Sequence, residues 1–291
     1  MIHIKINQPY ALNEIGGREN NEDSIFPSKK CASKSDDLFL VCDGVGGSDK
    51  GEIASLLACN SFSNYFDLKP EIKEISINED YIQGALEYTQ DKIDEYLVNN
   101  PNSKGMGTTL TLLSLNTNGA TIAHIGDSRV YHIRNRNIIY KTQDHSLVKE
   151  LVKEGIITEE NAKTHPQKNI ITRAIQGNSV KPTFADVSTQ TDVQAEDYFF
   201  LCSDGILEQV TDEILVDIIT SKRTDEEKIN EIDSICKGNT KDNYSCYLVP
   251  IAEVEYNLEE DIELSVINEK KDIKSLLDIG FKSFKNLFKK Q

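Results

Sequence analysis

Antiparallel β-sheets covered by helices, an α+β arrangement, are what this 291-residue chain predicts. Three observations lead there. Short runs with strand periodicity recur along the chain. They follow one another as hairpins do, without the regular strand–helix alternation of a parallel sheet. The longer stretches with helical spacing come in pairs.

The strand candidates, in order, are "DLFLVCD", "GTTLTLLSLN", "GATIAHIGDSRVYHIRN", "NIIYKT", "DYFFLCSD" and "NYSCYLVPI". Asn118-Gly119, between the second and third, has the residues of a tight hairpin turn. A helix is expected from Glu52 towards Phe66, burying Ile53, Leu56, Leu57 and Tyr65. A second runs between Ser76 and Asn99, with Ile82, Ala85, Leu86, Ile93, Tyr96 and Leu97 on one face and Ser76 with Glu79 as a capping box. A third begins near Thr224, with Glu227 in capping-box position, and ends before Gly238. From Glu253 to Glu269 there are seven acids and no base; "DIKSLLDIGFKSFKNLFKKQ" then turns basic and amphipathic. A boundary is therefore expected near residue 251, between a domain of residues 1–250 and a tail of residues 251–291 with an acidic linker and a C-terminal helix.

Composition narrows the function. At 38% hydrophobic and 27% charged residues, the chain can build a sizeable core. The net charge of −16 excludes nucleic acid as the main ligand, because backbone phosphates are held by Lys and Arg. The six cysteines form no CxxC pair and several sit in apolar runs, which points to buried thiols, a cytoplasmic setting and no structural zinc. The first residues lack the charged start and unbroken apolar stretch of a signal peptide, and no apolar run reaches membrane-span length.

The chemistry lies in where the acids fall. Asp43 follows an apolar strand and precedes glycine, as does Asp204 in "FFLCSDG"; Asp127 in "AHIGDSR" and Asp242 in "NTKDNYSC" stand at other strand rims. A single such aspartate is an ordinary turn residue. Four at strand rims form a pattern, and if they converge their repulsion calls for divalent cations. Oxygen ligands without a His/Cys cluster suit Mg²⁺ or Mn²⁺. Gly44 lets a backbone oxygen come close. Upstream, "GGRENNEDSIF" adds Glu22, Asp23 and the planar guanidinium of Arg18, which can hold two phosphate oxygens. The charge of Asp43, Asp204, Asp242, Glu22 and Asp23, about five, is offset by two divalent ions plus Arg18. A nucleotide-binding module is the weaker alternative, since "DGVGG" completes no GxGxxG and no P-loop lysine follows.

The segments "RENNED", "VCDGVGG" with "GEIAS", "GTT", "GDSR", "DHS", "HPQKNIITRAIQG", "LCSDG" and "DN", taken in this order from residue 13 to residue 250, resemble the metal-dependent serine/threonine phosphatases of the 2C type, and more closely their compact bacterial members. The resemblance implies a four-layer αββα sandwich of two antiparallel sheets. It implies two Mn²⁺ or Mg²⁺ ions, with Asp43 bridging them, Gly44 supplying a backbone oxygen, Asp204 and Asp242 on the second ion, and Glu22 and Asp23 on the first. Asp127 would share a third ion with Asp204, and Arg18 would clamp phosphate. Phosphorylated proteins and a cognate kinase are the implied partners.

The implied mechanism is in-line attack on phosphorus by a hydroxide bridging two ions. Many eukaryotic members carry histidine after the "DG"; here Val45 stands there, and the general acid is either a water on the third ion or His165. His165, Thr172 and Arg173 fall in a flap expected to shape substrate entry. The rival within the same fold is a catalytically silent phosphoprotein-binding domain. For the tail, three fates stay open: packing on its own domain, a protein partner, or an anionic membrane surface. A monomer is expected.

Overall fold

A computed structural model describes residues 1–45, 50–68, 77–177 and 183–256. Its organisation can be read from the alternation in strand β4 (Leu38–Val45), where successive side chains point to opposite faces. Leu38, Leu40 and Cys42 pack on helices α1 (Gly51–Leu68) and α2 (Glu79–Asn99). Phe39 and Val41 point the other way, into a second core against another sheet.

Two antiparallel sheets result. One runs β10 (Ile175–Gln176), β5 (Gly107–Thr108), β4, β6 (Leu110–Asn116), β7 (Gly119–Ile125) and β11 (Asp186–Gln190), with β3 (Asp23–Phe26) also pairing β4. The other runs β1 (Ile2–Ile6), β13 (Tyr244–Tyr256), β12 (Tyr198–Cys202), β8 (Arg129–Arg134) and β9 (Asn137–Lys141), with β2 (Tyr10–Glu14) also on β13. Phe39, Val41, Leu113, Phe199, Leu201, Tyr247 and Val249 fill the space between them. On the far face of the second sheet, Phe200, Cys202 and Leu248 meet α6 (Asp212–Ile219) and α7 (Asp225–Cys236). The layers are thus helix, sheet, sheet, helix, as the αββα expectation requires. Each large apolar side chain so buried contributes roughly 1.5–3 kcal/mol.

Between β9 and β11 the chain makes a long excursion, here called the flap, carrying α3 (Leu147–Lys153), α4 (Glu159–Lys163) and β10. A short helix α5 (Asp204–Leu207) follows β12 directly.

Several expectations are corrected. "GATIAHIGDSRVYHIRN" is two strands in different sheets: the chain leaves β7 at Ile125, crosses through Gly126, Asp127 and Ser128, and enters β8 at Arg129. Gly126 has φ +98°, a backbone region that disfavours a side chain. Asp43 does not end its strand, because Gly44 and Val45 pair on with Thr108 and Gly107. Leu56 is 50% exposed; the buried face of α1 is Ala54, Ser55, Ala58, Cys59, Phe62 and Phe66. The cap of α2 is Asn78, whose side chain accepts from Tyr81 N at 3.0 Å; Ser76 lies outside the described residues. The capping box of Thr224 and Glu227 is present on α7. The last strand runs to Tyr256, past the boundary expected near residue 251, because Ile251 to Tyr256 pair with β1 and Lys5 bridges Glu253 and Glu255. The tail helix expected beyond lies outside the described residues.

At the rim where β8 ends and β12 begins, the buried carboxylate of Asp197 is fully engaged. It meets His132 Nε2 at 2.8 Å, Arg134 Nε at 2.6 Å and the Gln194 amide at 2.8 Å. The opposite rim is different.

Candidate metal centre

At that opposite rim the alternation carries acids inward. Asp43 shares the parity of Phe39 and Val41, so its side chain lies on the inter-sheet face. Asp23 is its direct cross-strand partner, and facing residues of an antiparallel pair share a face. From the other sheet, Asp204 opens α5 immediately after β12, and Asp242 sits two residues before β13. Asp127 arrives on the crossing between the sheets.

These groups feel one another strongly. Loss of water pushes the Asp43 carboxyl well above the usual carboxylate range, and the charges of Asp23, Asp204, Asp127 and Asp242 push it further, although the residue keeps partial exposure. Burial raises Asp23 to about 7, against the hydrogen bond it accepts from Ser203 Oγ at 2.7 Å. Asp127 is raised to about 7 by burial and the charge of Asp204. Asp204 is raised to about 6 by burial and the charge of Asp242, partly offset by a hydrogen bond with Asp43. Like charges directly opposite on a sheet are destabilising by themselves, so the cluster is built against local stability.

The surrounding residues hold it in place. Asp43 O accepts from Thr109 N at 2.8 Å and Thr108 Oγ1 at 2.9 Å, and Asp43 N donates to Thr109 Oγ1 at 3.0 Å. Thr109 Oγ1 also meets Ser128 Oγ at 2.8 Å, which ties the Asp127 crossing to Asp43. Asn243 accepts from Glu22 N and donates to the carbonyls of Ile15 and Asn20, each at 2.8 Å, so it fixes the loop bearing Arg18 and Glu22. A Cβ on Gly44 would lie 2.3 Å from the backbone of Gly51 and 2.7 Å from Glu22 O. The glycine is required by this backbone contact alone.

The donor set fits a hard divalent cation. Asp23 Oδ1 and Asp204 Oδ1 are buried and have no hydrogen-bond partner, a cost that a cation would remove. Arg18 Nη2 lies 2.7 Å from Asp242 Oδ2 and stands in the field of Glu22 and Asp43. Arg129 is committed elsewhere, in a two-pronged pair with Asp144, both contacts 2.7 Å.

The structure therefore brings Arg18, Asp23, Asp43, Asp127, Asp204 and Asp242 into one region, with Glu22 and Gly44 adjoining. It does not bring His165 or Arg173 into contact with the acids. His165 Nδ1 accepts from Gln167 N at 3.1 Å, within the turn after α4. Arg173 pairs with Asp186 at 2.6 Å. The supporting residues Thr108, Thr109, Ser203 and Asn243 were missed as individuals, although "GTT", "CSD" and "DN" contain them; only their hydrogen bonds reveal their part.

The Protein phosphatase 2C family profile matches residues 13–243. Serine/threonine protein phosphatase PstP of Mycobacterium tuberculosis is 30% identical over 264 residues, 90% of this chain and 48% of that protein. A putative protein phosphatase 2C-type of Streptococcus pyogenes is 35% identical over 250 residues, covering 84% and 95% respectively. The solved catalytic domain of PstP in complex with two manganese ions superposes with a TM-score of 0.68 at 28% identity, covering 86% of this chain and 100% of that one. An αββα sandwich with acids from both sheets at one rim defines a metal-dependent phosphatase fold. The chain belongs to the Protein phosphatase 2C family. It spans about half the length of the mycobacterial relative.

Proposed function

We propose that this protein is a divalent-metal-dependent phosphatase of phosphoserine and phosphothreonine in proteins. One observation carries the reading: Asp23, Asp43, Asp127 and Asp204, from both sheets, stand in each other's field with two buried carboxylate oxygens unpartnered. Asp43, Asp204 and Asp242, with Glu22 and Asp23 beside them, are assigned as holders of two ions, and Asp127 with Asp204 as holders of a third. When bound, the ions supply an activated water and positive charge against the phosphoryl oxygens. Mg²⁺ and Mn²⁺ both suit this donor set; a solved relative holds manganese.

The chain's own residues do the rest. Arg18 is held at the cleft by Asp242 and presents a planar, permanently charged fork to a phosphate. Thr109 and Asn243 keep the two sides of the cleft in register. Val45 has no ionisable proton, so protonation of the leaving alkoxide would fall to a water held by a third ion or to His165 of the flap. A serine/threonine kinase acting on the same proteins is the implied partner.

Hydrolysis of p-nitrophenyl phosphate and of a phosphothreonine peptide, with Mn²⁺ and with EDTA, tests this. Turnover only with metal is expected. No turnover in either condition would leave the silent phosphoprotein-binding reading in its place.

A further inference from the structure

Outside the acidic cluster, His124, His145 and Asp186 bring two ring nitrogens and a carboxylate oxygen within 4.8 Å of one another. The composition suits zinc, but the geometry does not. An imidazole lone pair lies in the ring plane, and these rings stack 4.5 Å apart with 20° between planes, so the lone pairs run side by side without converging. The protons oppose it too. Gly126 N donates to His145 Nδ1 at 3.1 Å, which leaves the ring proton on Nε2, the atom a metal would need bare.

The same contacts describe a clamp. His145 N donates to Gly126 O at 2.8 Å while Nδ1 accepts from Gly126 N, so one residue grips both sides of the residue before Asp127. Gly126 is held from behind as well, since a Cβ there would lie 2.6 Å from Thr109 Cγ2. His145 O accepts from Thr172 N at 2.8 Å, and Leu147 N donates to Ile170 O at 2.9 Å, joining both ends of the flap. His145 Nε2 lies 3.2 Å from Asp186 Oδ2, off the line of a straight hydrogen bond, and Asp186 Oδ1 takes Arg173 at 2.6 Å. His124 backs the ring, with its own Nε2 on Gln143 O at 2.8 Å.

We propose that His145 is a positioning residue: through Gly126 it sets the placement of Asp127, and through Thr172 and Asp186 it anchors the flap to the metal-side loop. The kinetic consequences rest on the phosphatase reading above; the clamp does not.

Two replacements separate its arms. In His145→Asn the amide oxygen falls near the place of Nδ1 and retains the Gly126 arm. In His145→Gln the amide reaches the level of Nε2 and retains the Asp186 arm. With saturating Mn²⁺ and a phosphothreonine peptide, His145→Ala is expected to lower kcat about 10–100-fold, the scale of an ångström-sized misplacement. His145→Asn should recover most of kcat with KM raised about threefold, and His145→Gln the reverse. Amide hydrogen exchange at Gly126 should be about tenfold faster in His145→Gln than in His145→Asn. Asp186→Asn, at a half-exposed site that tolerates change, should raise KM more than it lowers kcat. Identical kinetics for the Asn and Gln variants, or equal exchange at Gly126, would overturn the clamp, as would an unaltered KM in Asp186→Asn. A wild-type protein without metal-dependent turnover would instead sink the phosphatase reading, and the exchange comparison would still decide the clamp.

Discussion

Asp204→Asn should make the metal-free protein more stable while impairing its use of metal. The wild-type carboxyl is raised to about 6 from an ordinary 3.8 by burial and by Asp242. An acid whose folded pKa is raised opposes folding above that pKa, and the opposition fades as pH falls towards the unfolded value. Near pH 7.5 the shift of roughly two pKa units corresponds to about 3 kcal/mol. An amide of the same shape removes that charge. At roughly 2–4 °C per kcal/mol for a domain of this size, the melting temperature in EDTA should rise by about 6–12 °C. At pH 4 the two proteins should melt together. Adding Mn²⁺ at pH 7.5 should narrow the gap, because ligand at a hundredfold excess over its Kd stabilises the wild type by about 2.7 kcal/mol and the variant by less. Differential scanning calorimetry at the two pH values, with and without metal, reads all four cases. If the variant melts at or below the wild-type temperature in EDTA at pH 7.5, the mutual repulsion inferred for the cluster is wrong.

Three further outcomes are expected. Asp43→Asn should lose at least about two orders of magnitude in turnover at saturating Mn²⁺, since it removes charge from the centre of the cluster; near wild-type rates would refute its assignment. Arg18→Ala should chiefly raise KM for p-nitrophenyl phosphate, and a fall in kcat with KM unchanged would place Arg18 elsewhere in the reaction. Gly44→Ala should lower the urea midpoint by an amount equivalent to about 1–3 kcal/mol, as a Cβ 2.3 Å from the Gly51 backbone forces the end of β4 away from α1; an unchanged midpoint would show that this contact yields freely.

The acids were legible in the sequence because each stands at a change of pattern: at Asp43, Asp127 and Asp204 an apolar run meets a charge beside a glycine, and at Asp23 and Asp242 a polar stretch gives way to a strand. The sheets were legible for a similar reason, as Phe39, Leu40 and Val41 read as a strand buried on both faces. What stayed hidden is set by tertiary contact. Nothing in "HIGDSRV" announces that the strand changes sheets at Gly126. β1 and β2 are short, and only their pairing with β13 makes them strands. Leu56 has the spacing of a buried residue but faces water, because small residues such as Ala54 and Ala58 sit nearest the sheet. His145 was visible only as part of "DHS"; its contacts with Gly126, Thr172 and Asp186 join residues from three separate stretches of chain.

The two rims of the sandwich differ in a way that bears on how the molecule is held together. Where Asp197 lies, Arg134 pairs with it, His132 hydrogen-bonds to it, and β8 is pinned to β12. At the far end of those same strands, carboxyl groups from both layers crowd together, each pushed towards its neutral form by burial and by the charge of its neighbours. Cation uptake would relieve that crowding and give the unpartnered oxygens of Asp23 and Asp204 a ligand, so ion occupancy and the stability of this rim are thermodynamically linked.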